Sequence, residues 1–137
     1  MKKAGLLISI FFLLSCSDNN KGGLQKEVHT LELSYIAWAC DCANWATEED
    51  MAAFDGDSLA ERSVFIEPAN KELELPDTLG YNNDLIRFTG SFYREKGYPK
   101  GYSSFQNPEK ARVLRYTRYE VIRSNFSEYQ KLINTLK

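Results

Sequence analysis

Apolar positions along this chain alternate more often than they follow a helical period. Between residues 28 and 39, Leu31, Leu33, Tyr35 and Ala37 share one parity, and Thr30, Glu32 and Ser34 the other. That period of two marks a half-buried strand. After Ser34 the second parity turns apolar as well, with Ile36 and Trp38, so the far end of this strand is expected to be covered on both faces. Residues 63–67 form a second apolar run. Pro68 opens a turn, and residues 72–75 alternate up to Pro76, which predicts a hairpin. Residues 85–93 carry the clearest pattern, with Ile86, Phe88 and Phe92 on one face and Arg87, Thr89 and Ser91 on the other. Gly90 on the apolar side marks a bend or a close backbone approach. Residues 111–123 make a last long strand whose arginines fall on both parities, which predicts a bulge.

Two segments follow a helical rule instead. Thr47-Glu48-Glu49-Asp50 precedes Met51-Ala52-Ala53-Phe54. A hydroxyl three residues before an acid is a capping-box signal, and acids in the first turn suit the positive end of the helix dipole. A helix of about two turns is expected, stopped by Gly56. Phe126, Tyr129, Leu132, Ile133 and Leu136 stand at helical spacing and predict a short amphipathic C-terminal helix. The remaining connections are a loop over 77–84 and a long one over 94–110. In the long loop, Tyr98, Tyr102 and Phe105 either fold back on the domain or present aromatic faces outward; loops of this length are usually functional or mobile.

These elements predict a mainly β domain over 28–137, with five strands, a short helix after the first strand and a short helix at the end. The long first strand, the glycine-kinked fourth and the long basic fifth resemble an OB-like barrel, closed or half-open. A β-sandwich fragment is the alternative. The resemblance implies a helix between the third and fourth strands, and here the predicted helix follows the first.

The N-terminus changes the picture. Met1-Lys2-Lys3 is positive, residues 6–14 are apolar, and the run is too short for a stable bilayer span. Residues 1–15 are therefore expected to be a cleaved signal. Leu13-Leu14-Ser15-Cys16 resembles the bacterial lipobox. The resemblance implies cleavage before Cys16, lipid on its thiol, and a membrane partner reached through that lipid. Residues 16–27 are polar and read as a tether. Ser17, by the lipoprotein sorting rule, carries no inner-membrane retention signal. The expected location is the cell envelope, the outer membrane ahead of the inner, with the domain facing the periplasm or the cell surface.

Charge is unevenly placed. Between Cys16 and Asn83 there are four Lys/Arg and fourteen Asp/Glu; between Asp84 and Arg123 there are nine and four. The two halves are expected to attract each other in the fold. Arg87, Arg112, Arg115 and Arg118, with Tyr98 and Tyr102, are the candidate surface for an envelope protein or a small ligand. The negative total and the compartment argue against nucleic acid.

Cys40 and Cys42 are the remaining candidate chemistry. In a flat strand their Cα atoms would stand about 6.5–7 Å apart, whereas a disulfide prefers about 5.5–6 Å. A bend at Asp41 would reconcile them. The pair is read as a disulfide or packed structural pair, with copper or zinc binding or redox work as alternatives. No other cofactor is implied. His29 lies eleven residues upstream of Cys40 on the other parity and reads as a surface or barrel-end residue. No Ser/His/Asp set or phosphate-cradling glycine loop is visible, so the sequence points to a binding or assembly module ahead of an enzyme.

Overall fold

The computed structural model describes residues 22–81, 83–125 and 135. The predicted signal segment, Cys16 and almost all of the predicted C-terminal helix lie outside them.

The described chain forms a mainly β, closed OB-like barrel of five strands. They are β1 (His29–Tyr35), β2 (Trp45–Ala46), β3 (Val64–Pro68), β4 (Leu85–Phe92) and β5 (Arg112–Arg123). Their order around the barrel is β1-β2-β3-β5-β4, and β4 returns to pair with β1. β3 runs parallel to β5, and every other neighbouring pair is antiparallel. Closure runs through the short β2, which meets β3 at the single pair Trp45 and Val64.

Two predicted elements are corrected. The first strand stops at Tyr35, because the chain turns at Ile36: the Trp38 amide bonds to the Ile36 carbonyl at 3.0 Å. The hairpin over 63–75 does not form. β3 pairs instead with β5, and residues 71–73 make a 3-10 turn whose first free amide, on Glu72, is capped by the Asn70 side chain at 3.1 Å. The missing strand is β2, whose two residues are too few to show a period. Part of the predicted tether is described. Residues 23–25 lie antiparallel to the end of β4, with bonds from the Gln25 amide to the Phe92 carbonyl and from the Arg94 amide to the Gly23 carbonyl.

The predicted helix begins as expected. Thr47 caps α1 (Glu48–Ala53) by accepting from the Asp50 amide at 3.0 Å. Gly56 does not merely stop it; it opens α2 (Gly56–Arg62), and Arg62 returns over the Phe54 ring and to within 3.5 Å of Asp50. Both helices lie between β2 and β3, so the departure from the usual OB helix position stands.

Inside the barrel, Leu33, Trp45, Val64, Ile86, Phe88, Phe92, Leu114 and Tyr116 form the core. Phe88 is fully buried and meets Trp45 and Tyr116 edge-on at 5.4 and 4.9 Å between ring centroids. Gly90 sits where β4 presses on β5: a Cβ there would lie 2.1 Å from the Arg115 carbonyl oxygen. The register slips at that point, since Thr89 faces Arg118 while Gly90 faces Tyr116. Thr117 is the extra residue of the predicted bulge, and such insertions bend the strand as a small barrel requires. The acidic and basic halves also meet, with Arg87 on Glu32 at 2.6 Å and Arg123 on Glu48.

Candidate functional site

The Cys40-Asp41-Cys42 corner and the long loop, unrelated in sequence, are brought together. The corner lies in the 36–44 connection from β1 to β2, and the long loop is the 93–111 connection from β4 to β5. Trp38 fixes the start of the corner by donating its ring N–H to the Ala43 carbonyl at 2.8 Å. The chain bends through residues 39–42, and Cys40 and Cys42 are joined by a disulfide with Cα atoms 5.3 Å apart. The sulfurs are then not thiolates, so metal binding would require the reduced pair. His29 is remote from them in the contacts it makes, packing edge-on against Phe92 at 5.2 Å with Glu27 at 3.8 Å.

Asp41 offers three groups to the long loop. Its amide donates to the Gln106 side chain at 2.8 Å, its carbonyl accepts from the Tyr102 hydroxyl, and its carboxylate accepts from the Ser104 hydroxyl at 2.7 Å. The Gln106 amide in turn donates to the Ser104 hydroxyl at 3.0 Å. A residue held between two linked cysteines is thus the fastening point of a crest on the far connection.

The loop is also fastened from below. Gly97 and Ala111 exchange backbone hydrogen bonds at its neck, 2.9 and 3.3 Å long. Phe65 and Val113 point outward from β3 and β5, and with Ala43 they form a second small core outside the barrel. This is why residues 64–66 read as an uninterrupted apolar run: the strand is covered on both faces. Tyr98 and Tyr102 stack on each other at 4.9 Å with planes 4° apart, and both lean on Phe65. The Tyr98 hydroxyl donates to the Pro108 carbonyl at 2.5 Å.

Glu67, buried beneath the loop, accepts from the Tyr93 hydroxyl at 2.5 Å and from the Lys100 amide at 2.8 Å, with Arg115 4.0 Å away. Burial, and then the Glu67 hydrogen bond and charge, push the Tyr93 hydroxyl up to about 12. Burial also raises the Tyr102 hydroxyl, with a smaller contribution from the Asp41 charge. Both groups favour the protonated, donating form that these bonds require.

Of the predicted surface residues, Arg87 shares the outer face of β4 and β5 with Arg118 and Arg115, which stand opposite Thr89 and Ser91. Tyr98 and Tyr102 are the inner pillar of the loop. Arg87 is held between Glu32 and Glu120, and those bonds raise its already high pKa further. Arg112 lies over the Phe92 ring at 3.7 Å, and Arg115 donates to the Ala69 carbonyl at 3.0 Å. Arg118 stands exposed opposite Thr89.

Sequence reasoning missed Asp41 as the fastening residue and Glu67 as the buried acceptor. Of the three loop aromatics, two fold back and Phe105 is fully exposed. A single acid between two cysteines was the only available sign of the first. Beside Cys42 lies a cleft of about 410 Å³ whose walls mix Asp57 and Glu61 with Lys96 and Lys110. A second cleft, of about 230 Å³, opens between Tyr35, Asn44, Trp45, Leu79 and Tyr81. No family model, curated protein or solved structure matches the chain.

Proposed function

We propose that this protein is a lipid-anchored binding or assembly module of the cell envelope. Its working surface on this reading is the pair of connections, 36–44 and 93–111, that meet over the outer face of β3 and β5. The observation that carries it is their mutual fastening through Asp41, which holds a polar and aromatic crest in place on a closed barrel. OB-like barrels use the connections between strands 1 and 2 and strands 4 and 5 to hold ligands. That likeness gives a place, and the ligand must come from the residues. The lipobox-like Leu13-Leu14-Ser15-Cys16 supports the anchor and the envelope setting.

The test is site-specific photo-crosslinking in intact cells. A probe at Ser103, on the crest, is expected to give a defined adduct. A probe at Glu49, beside the Glu48 that pairs with Arg123 at the other end of β5, is expected to give none. Equal labelling from both positions would sink the assignment of the surface.

A thiol-dependent role is the second reading, favoured by one observation: Cys40 is exposed at the corner. Reaction with an external dithiol would reduce the disulfide to two thiols and leave the dithiol oxidised. Copper or zinc would then bind the reduced pair. A purified protein that stays metal-free after reduction, and whose pair resists dithiols under native conditions, would remove this reading.

A further inference from the structure

We infer that the crest of the 93–111 connection is a lipid-contacting element, with Phe105 entering the interfacial region of the bilayer. This deepens the proposed function and rests on it for the nearness of a membrane. Phe105 is fully exposed, yet its neighbours Ser104 and Gln106 are both tied to Asp41. The stacked Tyr98–Tyr102 pair stands below it on Phe65. A large apolar ring is thus held out in water by a fixed support, where a freely moving ring could have folded down on the second core.

Two observations point to lipid ahead of a protein pocket. The loop between residues 94 and 110 carries Arg94, Lys96, Lys100 and Lys110 against Glu95 and Glu109. This positive balance, in a chain that is net negative, suits the surface of an anionic leaflet. The described chain also enters the fold at the root of this same loop. The Gly23 carbonyl accepts from the Arg94 amide at 3.0 Å, and Gly22 lies against the Glu95 side chain. The six residue-to-residue steps from Cys16 to Gly22 can span at most about 21 Å. A lipid on Cys16 would therefore hold the root of the loop within that distance of the bilayer. An aromatic tip with flanking lysines is the composition that interfacial segments use.

The experiment uses Phe105→Trp in the full protein, purified from membranes and reconstituted into vesicles of phosphatidylcholine with an anionic minority of phosphatidylglycerol. Brominated acyl chains quench an indole that enters the bilayer. The variant is expected to gain lipid-quenched emission above the signal of Trp38 and Trp45 in the parent protein. Emission shielded from both brominated lipid and acrylamide would place the ring in a protein partner or a second copy, and overturns the inference. Emission open to acrylamide and insensitive to brominated lipid also overturns it. The intact mass of the same sample reads the lipid on Cys16, so failure of the anchor is seen separately. Protein beginning at Ser17, which carries neither the apolar leader nor the lipid, is added to preformed vesicles to read the loop without the anchor. There, Phe105→Ser is expected to weaken partition about tenfold, and an unchanged partition contradicts the inference.

Discussion

Gly90→Ala is the substitution for which the structure gives the most specific expectation. A methyl group at this position would stand 2.1 Å from the Arg115 carbonyl oxygen, 2.6 Å from the Tyr116 Cα and 2.8 Å from the Arg115 carbonyl carbon. All three are backbone atoms, so no side chain can rotate away. Ordinary carbon contacts lie near 3.5–4.0 Å, so β4 and β5 would have to separate by more than an ångström at the bulge. Those strands pair along eight positions, and β4 also pairs with β1 to close the barrel. Overpacking a tight core costs about 1–3 kcal/mol, occasionally more. With only backbone to yield, the upper end applies. The gain from replacing a flexible strand glycine offsets well under about 1 kcal/mol of it. A net loss of about 3 kcal/mol is expected. In urea, with a slope of about 1–3 kcal/mol per molar, the midpoint should fall by roughly 1–3 M with the slope unchanged. Gly101→Ala is the comparison. Gly101 has φ of 76° and open space around it, so its cost is the conformational one of about 1–2 kcal/mol. A Gly90→Ala protein within about 1 kcal/mol of the parent would refute the account of how this barrel bends.

Other outcomes follow from the site. Asp41→Ala removes the acceptor of the Ser104 hydroxyl and should raise amide exchange across residues 102–107, at a global cost near 1 kcal/mol; unchanged exchange there would show that the crest is held otherwise. Cys40→Ser with Cys42→Ser should cost no more than about 2 kcal/mol in denaturant, because so short a ring constrains the unfolded chain little. Glu67→Gln should lower the Tyr93 hydroxyl from about 12 toward its ordinary value in an ultraviolet phenolate titration, since the Glu67 charge and hydrogen bond raise it. Tyr93 and Tyr116 are both pushed up to about 12, chiefly by burial. A folded-state value above the unfolded one favours the protonated native state, so this contribution is full below about pH 10 and lost as pH rises toward 12. Unfolding followed against pH should show that loss, and a stability that is flat from pH 9 to 12 would contradict it.

The strands with a clear period were legible in the sequence. β4 and β5, with the kink at Gly90 and the bulge opposite, are where alternation and glycine placement said they would be. β2 was not, because Trp45 and Ala46 are too short to carry a period and are specified by pairing with Tyr35 and Val64. Residues 72–75 alternate but do not pair, since β3 finds β5 instead, a parallel contact between segments far apart in sequence. The site divides in the same way. Cys40 and Cys42 drew attention by residue type, and the bend at Asp41 that their linkage needs is present. Their connection to the long loop depends on hydrogen bonds across more than sixty residues of chain, such as Ser104 to Asp41, and no local pattern encodes that. Alternation also places Arg87, Arg115 and Arg118 on one outer face of β4 and β5, while the partners of Arg87 and Arg115, Glu32 and the Ala69 carbonyl, come from the first half of the chain and have no local sign.

The most direct measurement is the intact mass of the protein purified from membranes, taken with and without alkylation. The account predicts a chain that begins at Cys16, carries added acyl mass on that residue, and takes up alkylating agent at Cys40 and Cys42 only after reduction. A chain that begins elsewhere, or that carries no acyl mass, would contradict the anchored reading on which the proposed function stands.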